Sequence, residues 1–148
     1  MIHKIEYIKG SIFDAIHADY KVCPVNKVGV MGAGLAKEFK KRMPQCELLY
    51  LIYLSLLKET GFILGDLKDG VIHLAIKDHW KQDSEIDFIR NNLKNLVETL
   101  NLSFNDKIRI AFPKLGCGCG KIKWEDIKSI MEEELYKLHD NFIIEIYL

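Results

Sequence analysis

Short apolar runs rich in β-branched and aromatic residues recur at 2–8, 21–25, 71–76, 108–112 and 142–147, each bounded by Gly, Pro, Asp or Lys. They read as strands, and 62–64 as a further short one. Between them the apolar period lengthens from two to 3.6. Over 84–101, Ile89, Leu93, Leu96, Val97 and Leu100 fall on one stripe, and Ser84-x-x-Asp87 at its head matches a capping box, which satisfies the free N–H groups of a first turn. The segment 125–138 repeats this logic with Ile127, Ile130, Met131, Leu135 and Leu138. Pro44 suits a first helical turn, so a helix is expected from about 44 to 60, where Gly61 stops it, with another before it over 35–43. The apolar stretch 48–57, broken by Ser55, is about half the length of a membrane-spanning helix and is expected to be a buried helix.

Strands alternating with helices predict an α/β fold whose largely parallel sheet is covered on both faces. A chain of 148 residues suits one buried core and is too short for two, so one domain is expected over 1–148. Lys+Arg and Asp+Glu both number 21, and this balance excludes a global field that would draw the protein to nucleic acid or an anionic membrane. Any nucleic-acid role must come from a site. The cysteines, Cys23, Cys46, Cys117 and Cys119, form no CxxC pair, and the first residues lack the apolar core of a signal peptide, so a cytoplasmic protein with free thiols is expected. Cys117 and Cys119 lack the second ligand pair of a structural zinc site, and no metal is expected.

In open α/β sheets the ligand lies beyond the carboxyl ends of the strands. The segments found there are Gly10-Ser11-Ile12-Phe13-Asp14, Asn26-Lys27-Val28-Gly29-Val30-Met31-Gly32-Ala33-Gly34, Lys77-Asp78-His79-Trp80 and Pro113-Lys114-Leu115-Gly116-Cys117-Gly118-Cys119-Gly120. Glycine admits close backbone approach, and the second segment runs into a helix whose N-terminal dipole favours an anion, so the two glycine-rich loops are suited to cradle a diphosphate. Glycines after strands also make tight turns, but two such loops at one edge favour the ligand. Neither is a GxxxxGK[ST] loop nor a GxGxxG followed by an acidic strand end, which disfavours P-loop hydrolysis and hydride transfer. Lys77 follows an apolar strand, where partial burial can make a lysine a nucleophile or proton donor. His79 and Asp78 are candidate acid/base groups, Trp80 can stack on a ribose or base, and Trp124 reads as packing at a helix start.

These segments together resemble the macro domain family, in the branch containing the terminal ADP-ribose glycohydrolase of animals and the bacterial antitoxin that removes ADP-ribose from thymidine in DNA. The resemblance rests on Tyr7-Ile8-Lys9-Gly10, on Val25 to Ala36 with Phe39-Lys40-Lys41, on Lys77-x-His79-Trp80, and on Pro113-x-Leu115-Gly116-Cys117-Gly118 with Trp124-Glu125. It implies a three-layer α/β/α fold with a mixed, largely parallel central sheet. It also implies that Gly10, Ser11 and Ile12 face the adenosine end of ADP-ribose, and that Asn26 hydrogen-bonds the distal ribose. Val30, Met31, Gly32, Ala33 and Gly34, with Leu115, Gly116, Cys117, Gly118, Cys119 and Gly120, would enclose the diphosphate and that ribose. Ser11 stands where the family commonly has an acidic residue for the adenine amino group, with Asp14 nearby, and Gly120 stands where the animal enzyme has an aspartate and the antitoxin branch tends to have glycine.

The implied activity is hydrolysis of an ADP-ribosyl linkage to thymidine in DNA or to a protein carboxylate, with Lys77 as the catalytic group and no cofactor. Two rivals are a non-catalytic module that sequesters ADP-ribose or a related nucleotide signal, and a phosphatase acting on ADP-ribose 1″-phosphate, for which only His79 with Asp78 offers a His/Asp pair. The expected partner is ADP-ribose or its conjugate, including ADP-ribosylated single-stranded DNA gripped by Lys37, Lys40, Lys41, Arg42, Lys121 and Lys123, with no membrane and the protein acting as a monomer.

Overall fold

A computed structural model describes residues 5–148. The elements are β1 (Ile5–Ile8), a 3-10 turn (Ile12–Asp14), β2 (Tyr20–Asn26), α1 (Gly34–Arg42), α2 (Gln45–Ile52), α3 (Leu54–Thr60), β3 (Phe62–Leu64), β4 (Val71–Lys77), α4 (Ile86–Ser103), β5 (Ile108–Phe112), α5 (Trp124–Leu135) and β6 (Phe142–Tyr147). The expected start of the first strand, before Ile5, lies outside the described residues.

Six strands form one sheet in the order β1-β6-β5-β2-β4-β3. All neighbours are parallel except β3, which pairs antiparallel with β4 at the edge. The sheet is therefore mixed and largely parallel, as expected. Parallel strands covered on both faces read as continuous apolar runs, and β4 is buried at every position from Val71 to Ile76. Alternation sorts its side chains. Ile72, Leu74 and Ile76 join Val22, Ile110 and Phe112 under α4 and α5. Val71 and Ala75 join Cys23 and Val25 under Phe39 of α1, Tyr50 of α2 and Leu57 of α3. Three layers result. The α4 stripe is buried as expected, and Asn92 beside it is held by a hydrogen bond from Nδ2 to the Ala75 carbonyl.

Three local expectations are corrected. The helix expected over 44–60 is two helices, broken at Tyr53, and only Cys46, Tyr50 and Leu57 of them are buried. Leu48 and Ile52 are 63% and 61% exposed, and Leu51, Tyr53 and Leu56 are exposed too, because one stripe is all that a helix can lay on the sheet. The capping box does not form: Glu85 is the N-cap of α4, and the Ser84 hydroxyl turns inward without a partner. Helix α5 ends at Leu135, and the following turn buries Leu138. Among the described residues no helix is long and apolar enough to cross a membrane.

Candidate functional site

Because β1, β2, β4, β5 and β6 run parallel, their carboxyl ends share one sheet edge. There they frame a cleft of about 920 Å³. Lys77 and Lys114 line it, no acidic residue does so among the described residues, and most of the rest is glycine and apolar residues. Such a surface suits an anion attached to an apolar, ring-containing body.

The anion has a ready donor set. Helix α1 begins at Gly34 with no side-chain cap and no acidic residue in its first turn, and Gly32 to Ala36 line the cleft. The free N–H groups of that first turn and the positive end of the helix dipole thus remain for a ligand. Glycine at 32 and 118 has no structural cause: a Cβ on Gly32 would meet only the Val30 side chain, at 3.5 Å, and one on Gly118 would meet nothing within 4 Å. Gly120 is different, because a Cβ there would overlap Ser84 Oγ and stand 2.6 Å from the Gly116 carbonyl oxygen. The last loop is closed on itself by Ile122 N–H to Gly116 O (2.9 Å) and pinned to the head of α4 by Ser84 N–H to Gly120 O (3.0 Å).

The second loop is shaped by Asn26. The pairing of β2 with β4 slips between Val25 and Asn26, so that Val25 lies opposite Ala75 and Asn26 opposite Lys77. A bulge of this kind re-aims the residues that follow it. Asn26 Oδ1 accepts from Val28 N–H (3.1 Å) and Val30 N–H (3.3 Å), and its Nδ2 donates to Val30 O (2.8 Å). One Nδ2 hydrogen is left for a ligand. Lys77, its register partner, is half-buried on the cleft wall, and its ammonium has no hydrogen bond or ion pair among the described residues.

Of the residues singled out in the sequence, the cleft gathers Gly10, Ser11, Ile12, Asn26, Val30, Gly32, Ala33, Gly34, Lys77, Gly116, Cys117, Gly118, Cys119 and Gly120. It does not gather Met31 and Leu115, whose side chains lie in the core clusters on either side of the sheet, nor Asp78 and His79. Ser11 Oγ accepts from Phe13 N–H (3.2 Å) and caps the short turn that follows. Burial raises the Cys117 thiol above its usual pKa, with Lys114 opposing, so this sulfur is no ready nucleophile. The basic patch is partly neutralised: Lys40 pairs with Glu47 (3.0 Å), Arg42 with Glu38 (3.3 Å) and Lys121 with Asp83 (3.6 Å). Tyr147, at the end of β6, and Lys114 were missed, although the strand-end rule applied to the last strand points to the first, and the second stands inside the last glycine loop.

Known proteins share this fold. The chain is 30% identical over 142 residues to a DNA ADP-ribosyl glycohydrolase of Mycobacterium bovis, an alignment covering 86% of this chain and 38% of that protein. It therefore spans well under half the length of that relative. The macrodomain of Thermus aquaticus DarG superposes with a TM-score of 0.84 at 26% identity, covering 97% of each chain. Thermosipho africanus DarTG in complex with ADP-ribose superposes with a TM-score of 0.84 at 28% identity, covering 99% of this chain and 42% of that one. The Macro domain family matches residues 22–131, which take in the loops after β2, β4 and β5. A shared fold and a family match over most of its length make this chain a member of the macro domain family.

Proposed function

We propose that the cleft binds ADP-ribose and that the protein hydrolyses an ADP-ribosyl linkage with Lys77. The diphosphate lies at the head of α1 between the two glycine loops, the adenosine end toward Gly10, Ser11 and Ile12, and the distal ribose between Asn26 and the last loop. The observation that carries this reading is that Gly32 and Gly118, which the fold does not require to be glycine, line one cleft with an unpaired lysine and an uncapped helix. The solved relative holding ADP-ribose supports the ligand, and the curated relative's name supports a DNA linkage over a protein carboxylate.

In the reaction water adds across the bond at the anomeric carbon of the distal ribose, hydroxyl to the carbon and proton to the departing group. Lys77 either attacks the anomeric carbon, whose bond to the departing group breaks as that group takes up a proton, leaving a Lys77-bound ribose that opens to an imine and is released by water, or it stabilises the departing group by its charge while water attacks. Asp78 and His79 lie off the cleft wall, which weakens both an acid/base role for them and the phosphatase reading. Four cysteines without a disulfide support a reducing, cytoplasmic setting, and we take the protein to act as a monomer. Calorimetry with free ADP-ribose, together with hydrolysis assays on ADP-ribosylated oligonucleotide and peptide, tests the reading. Absence of ADP-ribose binding at millimolar ligand overturns it, and binding without turnover of any substrate leaves only the sequestering module.

A further inference from the structure

Two aromatic residues of the cleft, Trp80 and Tyr147, are left unused by the proposed ADP-ribose contacts, and Trp80 is the exposed one. It lines the cleft with Lys77 yet is 50% exposed, an unusual position for the largest apolar side chain. The loop beneath it is built. His79 N–H donates to Gln82 Oε1 (3.2 Å), Gln82 N–H returns to the His79 carbonyl (3.0 Å), and Lys81 N–H donates to His79 Nδ1 (3.1 Å), which fixes the imidazole. That ring lies against Trp80 with centroids 5.5 Å apart and planes 30° apart. The Lys81 ammonium stands 5.1 Å from the Trp80 ring centre.

Resting on the glycohydrolase reading of the cleft, we infer that Trp80, backed by His79, is the platform on which the nucleobase departing from ADP-ribose stacks in a single-stranded substrate. Three features converge on a base. The ring stands beside the catalytic lysine, outside the segments assigned to ADP-ribose, which is where a departing group must lie. A base has a π-face for an exposed indole to meet, whereas a carboxylate side chain has none. The cation now near the ring belongs to a flexible lysine: stacking a base strengthens binding by roughly ten- to a hundredfold, while an exposed cation–π contact is worth only about two- to fivefold. The base therefore displaces Lys81, whose ammonium then stands beside the strand that carries the base and meets its phosphate. Such a local grip suits a chain with no net charge and a helix-borne basic patch partly engaged with its own acidic groups.

The experiment compares wild type, Trp80→Ala and Trp80→Phe on a single-stranded oligonucleotide with one ADP-ribosylated thymidine and on a peptide with one ADP-ribosylated glutamate. Affinity for free ADP-ribose is measured beside them. In Trp80→Ala the ratio of kcat/KM on oligonucleotide to that on peptide is expected to fall at least about tenfold, mostly through KM. Trp80→Phe recovers most of the loss, and the oligonucleotide quenches wild-type tryptophan fluorescence more than free ADP-ribose does. An unchanged ratio in Trp80→Ala overturns the platform. So does a wild type that cleaves the peptide and spares the oligonucleotide, and so does a loss of free ADP-ribose affinity as large as the loss on oligonucleotide, which assigns the ring to ADP-ribose itself. Failure of the wild type to bind free ADP-ribose is a separate result, which overturns the reading of the cleft and this inference with it.

Discussion

The hydroxyl of Tyr50 lies 2.8 Å from Asn26 Oδ1 and 2.7 Å from the Asn26 main-chain oxygen, and it accepts the Gly29 N–H at 3.0 Å. One buried oxygen on α2 thus ties the last residue of β2 to the loop that α1 continues. Its single proton is shared between two acceptors of the same residue, so the side chain and main chain of Asn26 are set together. Burial pushes the Tyr50 pKa up to about 12, with the backbone of Gly29, Val30 and Asn26 pulling the other way, and the hydroxyl remains a donor at any pH the fold meets.

Tyr50→Phe keeps the ring and removes the oxygen. The buried acceptors of Asn26 and the Gly29 N–H lose a partner, and the expected cost is about 1–3 kcal/mol of stability. Because the loop is part of the proposed ligand cradle, ADP-ribose affinity is expected to drop as well, by roughly two- to tenfold, the scale of one net hydrogen bond. Urea unfolding and calorimetry measure the two effects. A variant that matches wild type in both would show that the loop holds its shape without Tyr50.

Gly32→Glu and Gly118→Glu separate ligand approach from fold. Neither new Cβ meets an obstacle in the protein, so melting temperatures should stay near wild type. A carboxylate next to a diphosphate in a partly enclosed cleft is repelled by several kcal/mol at an effective dielectric near 20, so affinity should fall at least about a hundredfold. Gly32→Ala, which adds bulk without charge, should sit between. Wild-type affinity in a folded Gly118→Glu protein would remove the last loop from the diphosphate site.

Much of this arrangement was legible because buried parallel strands write themselves as continuous apolar runs, and the strand-end rule then points to the loops beyond them. What periodicity does not carry is the partner of an apolar face: Leu48, Leu51 and Ile52 look like core, yet one face of α2 suffices for the sheet. The resemblance implies ligand contacts for Met31 and Leu115, but a loop residue between glycines can equally anchor the loop in the core, as both do. The slip that sets Asn26 opposite Lys77 belongs to strand pairing, which a single chain does not display. Ser84 shows the limit of a local motif, since the capping pattern is present while its hydroxyl is drawn under Gly120 by the last loop.

His73 carries the expected pH dependence of stability. It has no exposed surface, its ring lies parallel to Tyr50 at 5.5 Å, and burial lowers its pKa from 6.5 to about 4, with only a loose backbone contribution from Cys46 opposing. The folded protein holds the ring neutral while the unfolded chain protonates it near pH 6.5. The resulting stability is complete above about pH 6.5 and is lost as pH falls toward 4. Between pH 7 and 4.5, wild type should lose about 2–3 kcal/mol more than His73→Leu, which has no proton to take up. Urea unfolding across that range checks it, and parallel curves for the two proteins would contradict it.

Gly120→Asp tests whether an acidic group can be added to the last loop of the cleft. The new Cβ overlaps Ser84 Oγ and stands 2.6 Å from the Gly116 carbonyl oxygen, so overpacking should cost about 1–3 kcal/mol. Adding Ser84→Gly removes the side-chain half of the conflict and leaves the carbonyl, so stability should return only in part. Thermal unfolding of the two variants reads this, and a single Gly120→Asp variant as stable as wild type would refute the crowding.

Lys77 is the sharpest point at which chemistry and binding separate. Its ammonium has no partner among the described residues and Lys77 lines the cleft opposite Asn26 in the strand register, whereas the proposed diphosphate contacts come from backbone N–H groups of α1 and the glycine loops. Lys77→Ala should therefore hold ADP-ribose within a few-fold of wild type while turnover falls at least about a hundredfold, the scale of losing one acid, base or nucleophile. Lys77→Arg then divides the two mechanisms, because arginine keeps the charge but neither gives up its proton readily nor acts as a nucleophile. Activity near wild type in Lys77→Arg leaves an electrostatic role alone; activity as low as in Lys77→Ala, with an imine trapped in wild type by borohydride, assigns the attack to the amine. With glycine at 120, Lys77 lacks the aspartate that the animal glycohydrolase carries in the last loop. Turnover by Lys77→Ala at the wild-type rate on both oligonucleotide and peptide would take catalysis away from this residue altogether.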